Sequence, residues 1–270
     1  MQFPSAPQVD IFDFVLSSDN NGVMVRDPRG GHNRKKVNED FFKTWTPKMS
    51  YVLGFMFADG SLLDTNSSSR TYYVQFSNND LRLLKDIRKV MSSEHRIYVR
   101  PVRVMEHKKK KYVSAIGYVF KFGNKVMYQD LLDLGMTHRT SNNMQFPLIP
   151  PVYFSYFLRG YFDGDGCVNL SMPRGRLTPR IKVIFTSGSR DFLSSLASLL
   201  SWTLNIKEPV FYKSTGAYNL TANDSVAVRI LDYMYRDLDL APYLDRKYQK
   251  YLDYKNNLMG PRIKKALSCN

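Results

Sequence analysis

Asp59 and Asp165 stand 106 residues apart, each followed by glycine and each closing an aromatic, apolar stretch: YVLGFMFADGSLL over 51–63 and YFLRGYFDGDGCV over 156–168. Carboxylates are hard oxygen donors suited to Mg²⁺, a cation that keeps several waters and takes phosphate oxygens as further ligands. Two carboxylates side by side repel each other and favour a bound cation, and a metal site of that kind can activate water and stabilise the leaving oxygen of a phosphodiester. That chemistry requires the two acids to meet.

The residues around them supply the means. Tyr51 aligns with Phe157, Gly54 with Gly160, Ala58 with Gly164, Asp59 with Asp165 and Gly60 with Gly166. Thr46-Pro47 and Pro150-Pro151 are helix-start signals. Gly54 and Ala58, like Gly160 and Gly164, are four apart and share a helical face, and small residues at that spacing let two helix backbones approach closely. The pattern predicts two helices packed along a pseudo-twofold axis. Each is expected to end at Asp-Gly, with Gly60 and Gly166 supplying a left-handed turn. Asp59 and Asp165 then lie together at the shared end.

The similarity continues downstream. YVQFSNNDLRLLKDI (73–87) matches KVIFTSGSRDFLSSL (182–196), and YVFKFGNKVMYQDLL (118–132) matches YNLTANDSVAVRILD (218–232), each reading as strand, turn and helix. A duplicated unit of about a hundred residues is too long for a solenoid repeat and suits two pseudo-symmetric subdomains. The expected division is an N-terminal extension over 1–45, a first unit over 46–140, a second over 141–255 with a Pro-, Ser- and Asn-rich linker at 139–151, and a tail over 256–270. Antiparallel strands alternate faces, so each sheet can cover helices on one side and present polar and basic residues on the other.

Those basic residues are many. Lys and Arg number 39 against 24 Asp and Glu, a net charge of +15, which points to a polyanion partner because neutralising phosphates releases counterions. Arg96, Arg100 and Arg103 read as lying along one strand of the first unit, Arg96 and Arg100 on one face and Arg103 on the other unless Pro101 introduces a bulge, and Lys121 lies on a later strand. Lys108, Lys109, Lys110 and Lys111 form the tip of the first hairpin and suit phosphate contacts more than base readout. In the second unit the candidates are Arg174, Arg176, Arg180 and Lys182, and Arg139 lies at the linker. Strand faces in the major groove would favour guanine edges through Arg and Lys. Only Cys167 and Cys269 are present, too few for a disulfide framework or a cysteine-built zinc site. No apolar run approaches a membrane span and the N-terminus lacks a secretion signal, so the expectation is an intracellular protein, in a bacterial cytoplasm or an organelle matrix.

VLGFMFADG (52–60) and LRGYFDGDG (158–166) resemble the paired nonapeptides of the LAGLIDADG homing endonucleases, single-chain type with two motifs, over about residues 45–255. The resemblance implies an α+β fold of two pseudo-symmetric αββαββα units, whose antiparallel sheets form a saddle over DNA with the motif helices packed at the interface. It implies metal-dependent hydrolysis of one phosphodiester per strand across the minor groove, leaving 3′ overhangs. Mg²⁺ would be the cofactor, with Mn²⁺ substituting and Ca²⁺ binding without supporting cleavage. Asp59 and Asp165 would hold the metal, helped by the carbonyls of Ala58 and Gly164.

The sequence departs from the family pattern in places. The first acid of the nonapeptide is Phe57 in one motif and Asp163 in the other. Where members often carry Gln and Lys near the scissile phosphates, this chain has Asn78 and Ser187, either of which could hold water. Lys247 falls where a family lysine commonly reaches the active site, with Arg139 as its weaker counterpart. The implied partner is double-stranded DNA with a long, pseudo-palindromic target, bound by a monomer since both acids are in one chain. The alternative reading is an intron maturase, an RNA-binding splicing cofactor on the same fold. A transcription regulator would need an added helix-turn-helix, and a free-standing protein is expected rather than an intein fragment.

Overall fold

The computed structural model describes residues 35–64, 72–107, 110–137, 143–175, 178–214 and 216–267. All belong to one compact unit, Asn33–Asn270. The first half runs α1 (Pro47–Asp59), β1 (Gly60–Asp64), β2 (Tyr72–Asn78), α2 (Leu81–Val90), β3 (Ile97–Arg100), β4 (Val104–His107), β5 (Lys110–Val113), β6 (Gly117–Gly123) and α3 (Lys125–Asp133). The second runs α4 (Phe154–Asp165), β7 (Gly166–Ser171), β8 (Arg180–Ser187), α5 (Arg190–Leu204), β9 (Val210–Ser214), β10 (Ala217–Asn223) and α6 (Asp224–Tyr235), and α7 (Asp245–Leu267) closes the chain. The strands make two four-stranded antiparallel sheets, ordered β1-β2-β6-β3 and β7-β8-β10-β9, with β4 and β5 forming a separate ribbon. The duplication in the sequence is thus a duplication of sheet topology.

The helix starts follow their capping residues. Thr46 accepts the N–H of Met49 on Oγ1 (3.0 Å) and Pro47 opens α1. Asp80, Asn124 and Ser189 cap α2, α3 and α5 in the same way. At Pro150-Pro151 the chain first makes a 3-10 turn, Pro151–Tyr153, and α4 begins without a side-chain cap. The Tyr153 carbonyl instead accepts the hydroxyl of Ser50, on the neighbouring helix α1 (2.8 Å).

Helices α1 and α4 are buried all round, from Met49 to Phe57 and from Phe154 to Asp163, as befits the centre of the molecule. Each sheet turns one face to them. Val74 and Phe76 on β2 are buried while Tyr73 and Gln75, which alternate with them, are not, and Val183 and Phe185 repeat this on β8. Stacked Phe55, Phe76 and Phe120 fill one side of the core; Phe162, Phe185 and Phe192 fill the other. Each such ring, fully withdrawn from water, contributes about 2 kcal/mol.

Residues 35–45, at the end of the expected extension, pack onto the first unit. Phe41 and Phe42 are buried, Asn38 donates its N–H to the Met91 carbonyl (3.0 Å), and Asn124 donates to the carboxylate of Glu39 (2.9 Å). Helix α7 runs on through the boundary drawn at 255. Among the described residues no helix is long and apolar enough to cross a membrane.

Candidate active site

The centre is built by backbone contact. A Cβ added at Gly54 would lie 2.0 Å from the Phe157 carbonyl oxygen, and one at Gly160 would lie 1.9 Å from that of Tyr51. The helices touch main chain to main chain, an approach any larger residue would forbid. At their C-terminal ends a Cβ on Gly164 would meet the Ala58 Cβ at 2.4 Å and the Asp59 Cγ at 3.5 Å. The ends of α1 and α4 therefore meet where Asp59 and Asp165 project.

Gly60 and Gly166 depart from expectation. Their φ values are −95° and −96°, extended rather than left-handed, because the chain leaves each helix directly into a strand. Glycine is required for space. A Cβ at Gly60 would lie 2.4 Å from the Met56 carbonyl oxygen, and one at Gly166 2.1 Å from the Phe162 ring.

The two carboxylates sit in unlike surroundings. Asn78 donates from Nδ2 to Asp59 Oδ2 at 2.6 Å. Burial raises the pKa of Asp59, against the pull of Asn78 and of the cations Lys247, Arg100 and Arg246. Among the described residues no hydrogen bond reaches Asp165. Burial and then the charge of Asp59 push it up to about 7, with Lys247 opposing. Ser187, expected at the site with Asn78, makes no hydrogen bond to Asp165: its side chain is buried, its Oγ accepts the Ser189 N–H (3.1 Å), and it is hydrogen-bonded to Tyr161.

Lys247 does come to the centre. It enters from the first turn of α7 and is 4% exposed; its Nζ donates to the carbonyl oxygens of Phe162 (2.5 Å) and Asp163 (2.9 Å). A cation at a helix C-terminus is favourably placed, although burial lowers its pKa to about 8. Asp163 faces inward. Its Oδ2 accepts the Tyr51 hydroxyl and the Leu244 N–H, both at 2.8 Å, and burial pushes it up to about 6. One turn earlier, buried Arg159 donates to the carbonyls of Met234 (3.2 Å) and Ala241 (3.0 Å). These bonds fasten the segment leading into α7, and so Lys247, to α4.

The donor set fits a hard divalent cation. Asp165, whose proton affinity burial and the charge of Asp59 raise, gains from a shared positive charge, and it offers oxygens that no described residue bonds. Among the described residues no group of three or more Asp, Glu, His or Cys gathers. The remaining ligands would be main-chain carbonyls, water and substrate.

The basic candidates separate by strand register. Tyr98 and Arg100 pair with Val119 and Gly117, and Gln75 pairs with Lys121, which places Arg100 and Lys121 on the face turned away from the helices. Lys121 lies over the Tyr73 ring (4.1 Å). Arg96 is exposed just before β3. Contrary to the expectation from sequence, Arg103 does not continue that strand: β3 ends at Arg100, and the chain turns at Pro101, which has no N–H for the ladder. Arg103 instead starts the β4–β5 ribbon, exchanging bonds with Ser114. Lys111 is exposed on the ribbon; Lys108, Lys109, Arg139 and Arg176 lie outside the described residues, and of Lys110 only the backbone is described. Arg174 and Lys182 are exposed. Arg180 is held by Asp224 (2.7 Å). Arg246, whose charge reaches Asp59, was not among the sequence candidates, although it adjoins Lys247.

With this geometry in view, the comparisons are consistent. A family model described as a LAGLIDADG-like domain matches residues 155–234. The fold is similar to that of the I-LtrWI LAGLIDADG homing endonuclease bound to target DNA, at 16% identity over 84% of this chain and 92% of that one, TM-score 0.50. It is similar also to the LAGLIDADG meganuclease I-CpaMI bound to uncleaved DNA, at 12% identity over 83% and 98%, TM-score 0.50, and to I-AabMI bound to uncleaved DNA, at 11% identity over 81% and 92%, TM-score 0.50. No curated protein sequence matches. The chain has the LAGLIDADG homing-endonuclease fold. It has that fold in single-chain form, with both motif helices in one polypeptide.

Proposed function

We propose that this protein is a site-specific, metal-dependent endonuclease that cuts both strands of a DNA duplex across the minor groove and leaves 3′ overhangs. The observation that carries this reading is the meeting of Asp59 and Asp165 at the ends of two helices in backbone contact. Either acid lost from the sequence, or a side chain at Gly54 or Gly160, would remove the site.

The metal-holding residues would be Asp59 and Asp165, with the carbonyls of Ala58 and Gly164. When bound, Mg²⁺ would supply Lewis acidity toward the phosphodiester, and Mn²⁺ would substitute. The other residues act around them. Asn78 orients Asp59, while Lys247 steadies the end of α4 and lowers the proton affinity of both acids. Arg100 and Arg246 bring positive charge to the centre, where a phosphate backbone would pass. Arg96, Lys121, Arg174 and Lys182 lie outward for DNA, and Lys111 suits a phosphate on the ribbon.

Two unlike halves imply a long, imperfectly palindromic target, and two acids in one chain imply action as a monomer. The division into an extension, two units and a tail belongs to the same proposal. The test is cleavage of a randomised duplex library in Mg²⁺, followed by sequencing of the ends. One recovered site with 3′ overhangs is expected; blunt or 5′-extended ends would overturn the proposed geometry of the cut.

A further inference from the structure

The two halves of the centre are built alike up to one side chain. At the end of β2, Asn78 Oδ1 accepts the N–H of Asp80, the cap of α2 (2.8 Å). At the end of β8, Ser187 Oγ accepts the N–H of Ser189, the cap of α5 (3.1 Å). Asn78 has a second arm. With its oxygen engaged by the backbone, its amide can face the helix end only through Nδ2, which donates to Asp59 at 2.6 Å. Ser187 still has its hydroxyl hydrogen, but the side chain's other partner is Tyr161, and Asp165 receives no hydrogen bond among the described residues.

A carboxylate already held by a donor has given up its rotational freedom before any ligand arrives; a carboxylate without one must give it up on binding. Lys247 does not restore the balance at Asp165, because its described hydrogen bonds go to the Phe162 and Asp163 carbonyls. We infer that Asn78 is a positioning residue that makes the two halves of the centre unequal, so that the strand served by Asp59 is cut before the strand served by Asp165. This rests on the endonuclease reading above. Each scission remains a hydrolysis: a water oxygen joins phosphorus, one bridging oxygen leaves and takes up a proton, and nothing is oxidised.

The test uses the full chain and the duplex recovered from the randomised library, with the strands labelled separately and cleavage started with Mg²⁺. The wild type is expected to accumulate duplex nicked always in the same strand. Asn78→Ser copies the residue of the second unit and keeps the acceptor for Asp80. It should slow that first scission on the order of tenfold, the worth of one hydrogen bond to a charged group, and erase the order. Should the serine variant not fold, Asn78→Ala, which removes the donor without adding a charge, is expected to do the same. A readout apart from cleavage is Ca²⁺ binding to the protein–duplex complex by calorimetry, which Asn78→Ser should weaken by a similar factor. Equal strand rates in the wild type overturn the inference, as does a bias that survives the loss of the donor or a variant that slows only the second cut. If the wild type cuts no duplex at all, it is the endonuclease reading that falls.

Discussion

Gly160 lies against the backbone of Tyr51 so closely that a Cβ there would sit 1.9 Å from the Tyr51 carbonyl oxygen, and Gly54 meets Phe157 in the reciprocal way at 2.0 Å. The obstacle at each place is main chain, which no side-chain rotation relieves. Gly160→Ala therefore has to part the helices. The expected cost is about 3 kcal/mol or more, read as a lower urea midpoint. A variant within about 0.5 kcal/mol of the wild type would contradict the close packing.

Parting the helices would also expose and part the carboxylates whose burial and mutual charge set the pH response of the site. Asp165, pushed up to about 7 by burial and by Asp59, must lose its proton before it can bind a cation. Ca²⁺ affinity is therefore expected to fall as the pH drops below about 7, approaching tenfold per unit, and to level off above it. Calorimetry from about pH 5.5 to about pH 8.5 checks this; an affinity indifferent to pH would count against it.

Lys247 tunes the same response. It lowers the proton affinity of Asp165 and caps α4 through the Phe162 and Asp163 carbonyls. Lys247→Met keeps the apolar stem and removes the charge, so the midpoint of the Ca²⁺ titration should move to higher pH and stability should fall by about 1–2 kcal/mol. A midpoint that moves down would show the lysine acting in some other way.

Asp163 gives a stability test away from the chemistry. Burial raises its pKa from 3.8 to about 6, so the folded state holds a proton that the unfolded state has released between those values. Its contribution to stability is greatest when it is protonated and declines as the pH rises from about 4 through about 6. Asp163→Asn keeps an oxygen for Tyr51 and Leu244 and should flatten that slope, with a melting temperature at neutral pH no lower than that of the wild type. Asp163→Leu strands both donors and should cost about 2–4 kcal/mol. Melting curves near pH 4.5 and pH 7.5 separate these outcomes.

The helix pair was legible in the sequence because close backbone approach leaves a mark: it demands Gly54, Ala58, Gly160 and Gly164, and the duplication repeats that demand. The glycines after the acids were legible as necessary but not for the right reason. An Asp-Gly helix end reads the same whether glycine serves a left-handed turn or, as at Gly60 and Gly166, makes room for the helix's own preceding turn. Asn78 and Ser187 occupy equivalent positions, and only the three-dimensional reach of an amide against a hydroxyl separates them. Arg103 lost its strand to Pro101, a departure that the proline itself signals. Arg246 left no signal beyond its neighbour Lys247, since the nearness of α7 to Asp59 is set by contacts between distant segments.

The most direct measurement is cleavage of the randomised duplex library in Mg²⁺ by the wild type, by Asp59→Asn and by Asp165→Asn, with DNA binding followed in parallel. The expected result is a defined double-strand cut by the wild type, lost in each variant while DNA is still bound. A wild type that binds DNA and never cuts it in Mg²⁺ or Mn²⁺, or a variant that cuts as well as the wild type, would contradict a centre built on the two carboxylates.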